Sequence, residues 1–242
     1  MLHVLYYLWR SWLWILVLMG LILFSPVGVV LISFKKTYFL FHLFCRWWCR
    51  LVLILNGFGY YLINPPKLDS SAYIICPNHT SKFDIILLFA VLPKTFVFIG
   101  KKGVSKFSVF EWFYNKTMIT FDRNNVSSAF RAYRRADQLL KSGVSIVIFP
   151  EGRVPEKSTR LGEFKLGAFK LAIHNQVPII PVTFVDNKHK YPEDELKIKL
   201  GLLRVLIHNP ISTQGFITKD SESLSQTVFK IINQSLIDYE GK

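Results

Sequence analysis

From Ser11 to Phe34 the chain runs 24 residues without a charged side chain, and any fold it adopts must accommodate that stretch. As a helix it is about 36 Å long, against a bilayer hydrocarbon core of roughly 30 Å. Ser25-Pro26 and Gly28 lie inside it, and an internal proline kinks or breaks a helix. Lys35-Lys36 follows, then a second apolar stretch, Thr37 to Ile63, punctuated by Arg46 and Arg50. Four residues apart, these arginines share one helical face, the pattern of a helix lying in the interface with its cations at the headgroups. Trp9, Trp12, Trp14, Trp47 and Trp48 add the aromatics that favour such interfaces. Three placements follow: a spanning helix, a two-helix hairpin dipping into one leaflet, or a core helix of a soluble fold. The first two hold the protein on a membrane. No short apolar region ends in a small-residue cleavage site, so a removed signal peptide is not expected.

Charge is localised in the same way. Residues 1–64 contain no Asp or Glu and five cations, while residues 94–135 hold nine cations against Glu111 and Asp122. These two patches dominate the formal net charge of +14 and suit phosphates or lipid headgroups. Nucleic acid is not expected as a partner, because no zinc-finger spacing, RNP-like motif or basic zipper is present. Only 19% of residues are charged and 51% are hydrophobic, which excludes disorder. Three cysteines make no disulfide framework and no metal spacing; a reduced compartment and no structural metal are expected.

After Pro65-Pro66 the pattern changes. Strands are predicted at Tyr73–Cys76, Thr95–Ile99, Met118–Phe121, Val144–Phe149, Ile179–Val185, Leu196–Leu200 and Leu203–His208. Helices are predicted at Ile85–Leu92, Ser127–Lys141, Leu166–Asn175 and Ser221–Tyr239. Such alternation predicts an α/β fold: residues 65–242 form a single domain with a central mixed sheet flanked by helices, and residues 1–64 a hydrophobic two-helix membrane motif before it. Gly57-Phe58-Gly59 lacks the third glycine of a dinucleotide turn, and no P-loop or nucleophile elbow occurs.

Directly after the first buried strand comes Pro77-Asn78-His79-Thr80-Ser81-Lys82-Phe83-Asp84. On one continuous helix, His79 and Asp84 would lie about 140° apart and never meet. With His79 in a loop and Ser81 capping the next helix, Asp84 falls at the third helical position and turns back toward the imidazole. A carboxylate on one ring nitrogen fixes the tautomer and leaves the other as a base. The same Ser81-x-x-Asp84 spacing also serves a capping box.

Three further segments join it: Phe149-Pro150-Glu151-Gly152-Arg153 at a strand end, Phe164-Lys165-Leu166-Gly167-Ala168-Phe169, and Val177-Pro178-Ile179-Ile180-Pro181-Val182. With Gly100–Arg123, the ordered blocks Asn78–Asp84, Phe149–Arg153 and Val177–Val182 resemble the glycerolipid acyltransferase family over about residues 45–210. Gly103 stands where the family usually has Glu, Ser108 where it often has Pro, and Glu151-Gly152-Arg153-Val154 where many relatives have Glu-Gly-Thr-Arg.

The resemblance implies a membrane-bound O-acyltransferase of phospholipid synthesis. It would move a fatty acyl group from acyl-CoA or acyl-carrier protein to 1-acylglycerol 3-phosphate, giving phosphatidic acid, with no bound cofactor and with the active site on the cytoplasmic face. His79 would be the base and Asp84 its orienting carboxylate. A free imidazole, titrating near ~6.5, suits that task. With no seryl or cysteinyl nucleophile in view, transfer would be direct. Glu151 would accept from an acceptor hydroxyl, with Asn78 and Gly152 beside it in the substrate site. Lys101, Lys102, Arg123, Arg153 and Arg160 are the candidates for the phosphate. Backbone amides at the start of the 82–92 helix are the expected oxyanion donors. Other acceptors (glycerol 3-phosphate, a lyso-ornithine-type lipid) and a non-catalytic anionic-lipid-binding protein are the rival readings.

Overall fold

The computed structural model describes residues 2–33, 37–101, 117–122, 125–193 and 195–239. It opens with two apolar helices, α1 (Leu2–Ser33) and α2 (Tyr38–Leu55). α1 runs through Pro26 without a break: the missing N–H removes one backbone bond, and the turns on either side carry the helix across. The two helices pack against each other where Gly20 leaves room for the Trp48 indole, whose Nε1 donates to the Leu16 carbonyl at 3.2 Å. Phe24 meets Phe44 at 3.8 Å between ring centroids. Most of their remaining surface is bare hydrocarbon, with Leu8, Ile22, Trp47 and Ile54 all more than 60% exposed.

The second apolar stretch is not one helix. It ends at Asn56, whose Nδ2 donates to the Val52 carbonyl, and turns at Gly57 with φ +74°. Phe58–Ile63 then forms β1, a strand, so the sheet begins before Pro65. Nor do the two arginines of α2 point toward headgroups. After β2 (Ile74–Pro77) comes α3 (Phe83–Val91). Arg46 Nη2 donates to the Leu92 carbonyl at 2.8 Å and Arg50 Nε to that of Ala90 at 2.9 Å. They satisfy carbonyls that a helix end leaves without partners, and so bolt α2 onto α3.

The chain continues through β3 (Phe96–Lys101), β4 (Met118–Phe121), α4 (Val126–Lys141), β5 (Ser145–Val147) and α5 (Gly167–Asn175). Then come β6 (Ile179–Phe184), the single turn α6 (Asn187–Lys190), β7 (Gly201–Ile207) and α7 (Ser221–Tyr239). The predicted strand at Leu196–Leu200 is absent. Only Ile198 in that segment is buried, and the Lys199 amide bonds the Lys190 carbonyl rather than a strand of the sheet.

The seven strands form one mixed sheet in the order β1-β7-β6-β2-β5-β3-β4, as expected for the α/β class. Every pairing is parallel except β6 with β7. Alternate side chains serve two cores, as the period of a strand demands. Ile75, Val147, Ile180 and Val182 face α1, α2 and α3, whereas Ile74, Ile146 and Ile179 face α4, α5 and α7. Because β2 is flanked by parallel β5 and β6, the C-terminal ends of all three open onto one edge of the sheet. That edge is where α/β folds place their ligands.

Candidate active site

At the end of β2 the chain is held by Asn78 before it reaches His79. Asn78 is 2% exposed; its Oδ1 accepts from the Phe184 amide at 2.7 Å and its Nδ2 donates to the Phe184 carbonyl at 3.2 Å. A side-chain amide thus imitates a strand neighbour and extends the β2–β6 ladder by one step. Asn78, expected in the substrate site, holds this loop and is also among the residues that line a cleft beside it.

Asp84 is fully buried on the first turn of α3, the second residue of that helix rather than the third. Its Oδ2 takes His79 Nδ1 at 2.9 Å and the amides of Thr80 and Ser81 at 2.6 and 3.0 Å. Its Oδ1 takes the Thr80 hydroxyl at 2.6 Å and Asn187 Nδ2 at 2.8 Å. The N-cap is Lys82 rather than Ser81 and makes no side-chain cap bond, yet the carboxylate that takes the amides before the helix also grips the imidazole. A carboxylate only accepts, so Nδ1 carries the proton and Nε2 is left with a lone pair. The ring lies nearly flat against Phe149 (4.0 Å between centroids, 20°) and is 18% exposed, lining a cleft with Val154, Pro155, Lys157 and Lys188.

Glu151 directs both oxygens at backbone. Oε1 accepts from the His79 amide at 2.6 Å and Oε2 from the Gly162 amide at 2.7 Å. Burial pushes its carboxyl up to about 7, although both amides favour the charged form. The expected acceptor for a substrate hydroxyl is thus a clamp between the loop after β2 and the loop after β5. Gly152 follows with φ +70° and the Lys165 stem packed over its Cα, so a Cβ there would sit 3.3 Å from Lys165 Cδ.

Arg153 and Arg160 are both exposed on the segment after β5. Lys101 is the last residue of β3, while Lys102 and Arg123 lie outside the described residues. The amides expected to hold an oxyanion, at the start of the 82–92 helix, are occupied: that of Lys82 by Glu193 Oε2, that of Phe83 by Ser81 Oγ, and those of Asp84 and Ile85 by the Ser81 and Lys82 carbonyls.

Sequence reasoning missed Asn187, Gly162 and Phe149 as supports of the imidazole. Phe149 lay inside a quoted motif. Asn187 is 103 positions from Asp84 and carries no local signal. Arg10 was missed as well. From α1 it donates to the carbonyls of Pro192 and Glu195, and its guanidinium stacks 4.6 Å over the Tyr191 ring, holding the loop that walls the His79 cleft.

A family model described as Acyltransferase matches residues 63–185. A probable 1-acyl-sn-glycerol-3-phosphate acyltransferase of Mycoplasma pneumoniae is 28% identical over 221 residues, covering 86% of this chain and 79% of that protein. A chloroplastic 1-acyl-sn-glycerol-3-phosphate acyltransferase of Arabidopsis thaliana is 35% identical over 152 residues, covering 62% of this chain and 42% of the plant protein. Among solved structures, that of the 1-acyl-sn-glycerophosphate (LPA) acyltransferase PlsC from Thermotoga maritima superposes with a TM-score of 0.82 at 20% identity. It covers 100% of this chain and 99% of its own, and the fold is the same.

Proposed function

The chain belongs to the acyltransferase family, and from that premise we propose that it moves a fatty acyl group from a thioester donor to the free hydroxyl of 1-acylglycerol 3-phosphate, giving phosphatidic acid at a membrane surface. One observation carries the chemistry: His79 Nδ1 is 2.9 Å from a fully buried carboxylate.

In this reading Nε2 of His79 takes the proton from the acceptor hydroxyl as its oxygen attacks the thioester carbonyl. Asp84 holds the tautomer and stabilises the imidazolium. Collapse of the tetrahedral intermediate breaks the carbon–sulfur bond, and the departing thiolate recovers the proton. The products are an ester and a free thiol, with no acyl-enzyme and no bound cofactor. Glu151 acts by holding the His79 backbone. The acceptor's phosphate is assigned to Arg153 together with Lys101, Lys102 and Arg123, which stand at or just after the ends of β3 and β4 in sequence.

The bare faces of α1 and α2, which contain two segments long and apolar enough to cross a membrane, support attachment to a bilayer. There the acceptor's tail stays out of water, saving about 0.8 kcal/mol per CH₂. The acyl donors, coenzyme A or carrier-protein thioesters, belong to a reducing compartment, and the active site is assigned to the cytoplasmic face.

The test is purified protein in detergent with labelled acyl-CoA or acyl-carrier protein and a panel of lysolipid and glycerol 3-phosphate acceptors. Phosphatidic acid should form, and His79→Ala should abolish it. His79→Ala activity within a few-fold of the parent would dismiss the mechanism.

A further inference from the structure

Of the 32 residues in α1, Arg10 is the only Lys, Arg, Asp or Glu. A cation on so apolar a helix is costly unless it is paired. Leu13 and Leu16, three and six residues on, are buried in the same core as Phe83 and Tyr191. That face of α1 is turned toward the α/β layer, and Arg10 is turned with it. Its Nη2 donates to the Pro192 carbonyl at 2.5 Å and to that of Glu195, while the guanidinium covers the Tyr191 ring.

The chain that Arg10 fastens lies along the start of α3 like a splint. Three of its residues hold three consecutive residues there. Glu193 takes the Lys82 amide at 3.1 Å through Oε2 and the Lys82 ammonium at 2.9 Å through Oε1. Tyr191 stacks on Phe83, 4.6 Å between centroids and 13° from parallel. Asn187, fully buried, donates to Asp84 Oδ1 at 2.8 Å, and its carbonyl takes the Tyr191 amide at 2.8 Å. A largely exposed pair such as Lys82–Glu193 adds little by itself. The splint is stiff because both its ends are tied, at Asn187 to the Asp84 carboxylate and beyond Tyr191 to Arg10.

We propose that Arg10 is a positioning residue for acyl transfer: from the apolar helix α1 it fixes this splint, and through it the carboxylate on which His79 Nδ1 rests. This rests on the acyl-transfer reading. The helix that anchors the protein then also sets the geometry of the dyad, which is held in place only while α1 is seated on the α/β layer.

The experiment compares Arg10→Ala, Arg10→Met and Arg10→Lys with the parent, as the full chain in detergent, by steady-state kinetics and by backbone amide exchange. In Arg10→Ala and Arg10→Met kcat should fall about ten- to a hundredfold, the loss that a small misplacement of catalytic groups brings. KM for both substrates should stay nearly unchanged. Arg10→Lys keeps the cation but not the planar fork that reaches two carbonyls at once, so it should recover part of kcat. In a Glu193→Ala background, Arg10→Ala should cost clearly less than it does alone, because part of the grip it serves is already released. Amide exchange needs no turnover: peptides covering residues 80–84 should exchange faster in Arg10→Ala than in the parent, and those covering β6 should not. Parent-like kcat in Arg10→Met, a lower Tm with kcat intact, a rise in KM alone, or unchanged exchange at residues 80–84 would overturn the role of Arg10 while leaving acyl transfer standing. A parent that transferred no acyl group would dismiss the acyl-transfer reading instead, and the exchange result would still decide whether Arg10 holds the dyad.

Discussion

The backbone amide of His79 sits 2.6 Å from Oε1 of Glu151, a residue 72 positions further along the chain. Through this bond and its twin to Gly162, two loops from neighbouring strands become one rigid rim. Glu151→Ala leaves the His79 amide buried without an acceptor, at a cost of about 1–3 kcal/mol. We expect kcat to fall at least about tenfold, with the KM for the acceptor nearly unchanged, because the residue places the base rather than touching the substrate. A rise in acceptor KM with kcat intact would return Glu151 to a role in binding.

His79 and Asp84 should separate by stability. His79→Ala removes a group that is partly exposed and should lower kcat by ~10²–10⁴-fold with little change in Tm. Asp84→Ala removes the same chemistry and also strands two amides, a hydroxyl and the Asn187 amide. Its Tm should drop clearly. Equal Tm values for the two variants in thermal unfolding would contradict this division.

The pH response of stability follows from Glu151, whose carboxyl is pushed from 4.5 to about 7. Between those values the folded state holds a proton that the unfolded state has released, so this group's contribution falls as pH rises. At about 1.4 kcal/mol per unit, the loss approaches a limit of roughly 3–4 kcal/mol by pH 8. Glu151→Gln cannot ionise. The Tm of the variant minus that of the parent should therefore grow from pH 5 to pH 8, and a flat or falling difference would refute the direction.

Gly20 sets the approach of α1 to α2. A Cβ there would lie 2.0 Å from Trp48 Nε1, so Gly20→Ala must displace the indole and its bond to Leu16. We expect about 1–3 kcal/mol of destabilisation, read as a lower Tm in detergent. Adding Trp48→Ala should make the alanine at position 20 nearly neutral. A Gly20→Ala protein as stable as its parent would show that the helices do not meet there.

What the sequence revealed was local. His79 and Asp84 are five residues apart, and the need for the pair to meet already demanded a loop followed by a helix start. The four-residue spacing of Arg46 and Arg50 correctly put them on one face, but their partners are carbonyls of α3, some forty positions on. β1 was hidden because a six-residue apolar strand next to an apolar helix has the same hydropathy as more helix. Only Asn56-Gly57 marked the turn. Asn78 and Glu151 were recognised as important, but their partners are backbone groups far along the chain, which no residue pattern announces.

The guanidinium bonds from α2 to the end of α3 have a practical outcome. Cutting the chain back to Phe58 in search of a water-soluble fragment would uncap α3 and bare Phe83, Leu87 and Leu88, all now fully buried. The helix carrying Asp84 would lose its roof, and the product would clump instead of dissolving.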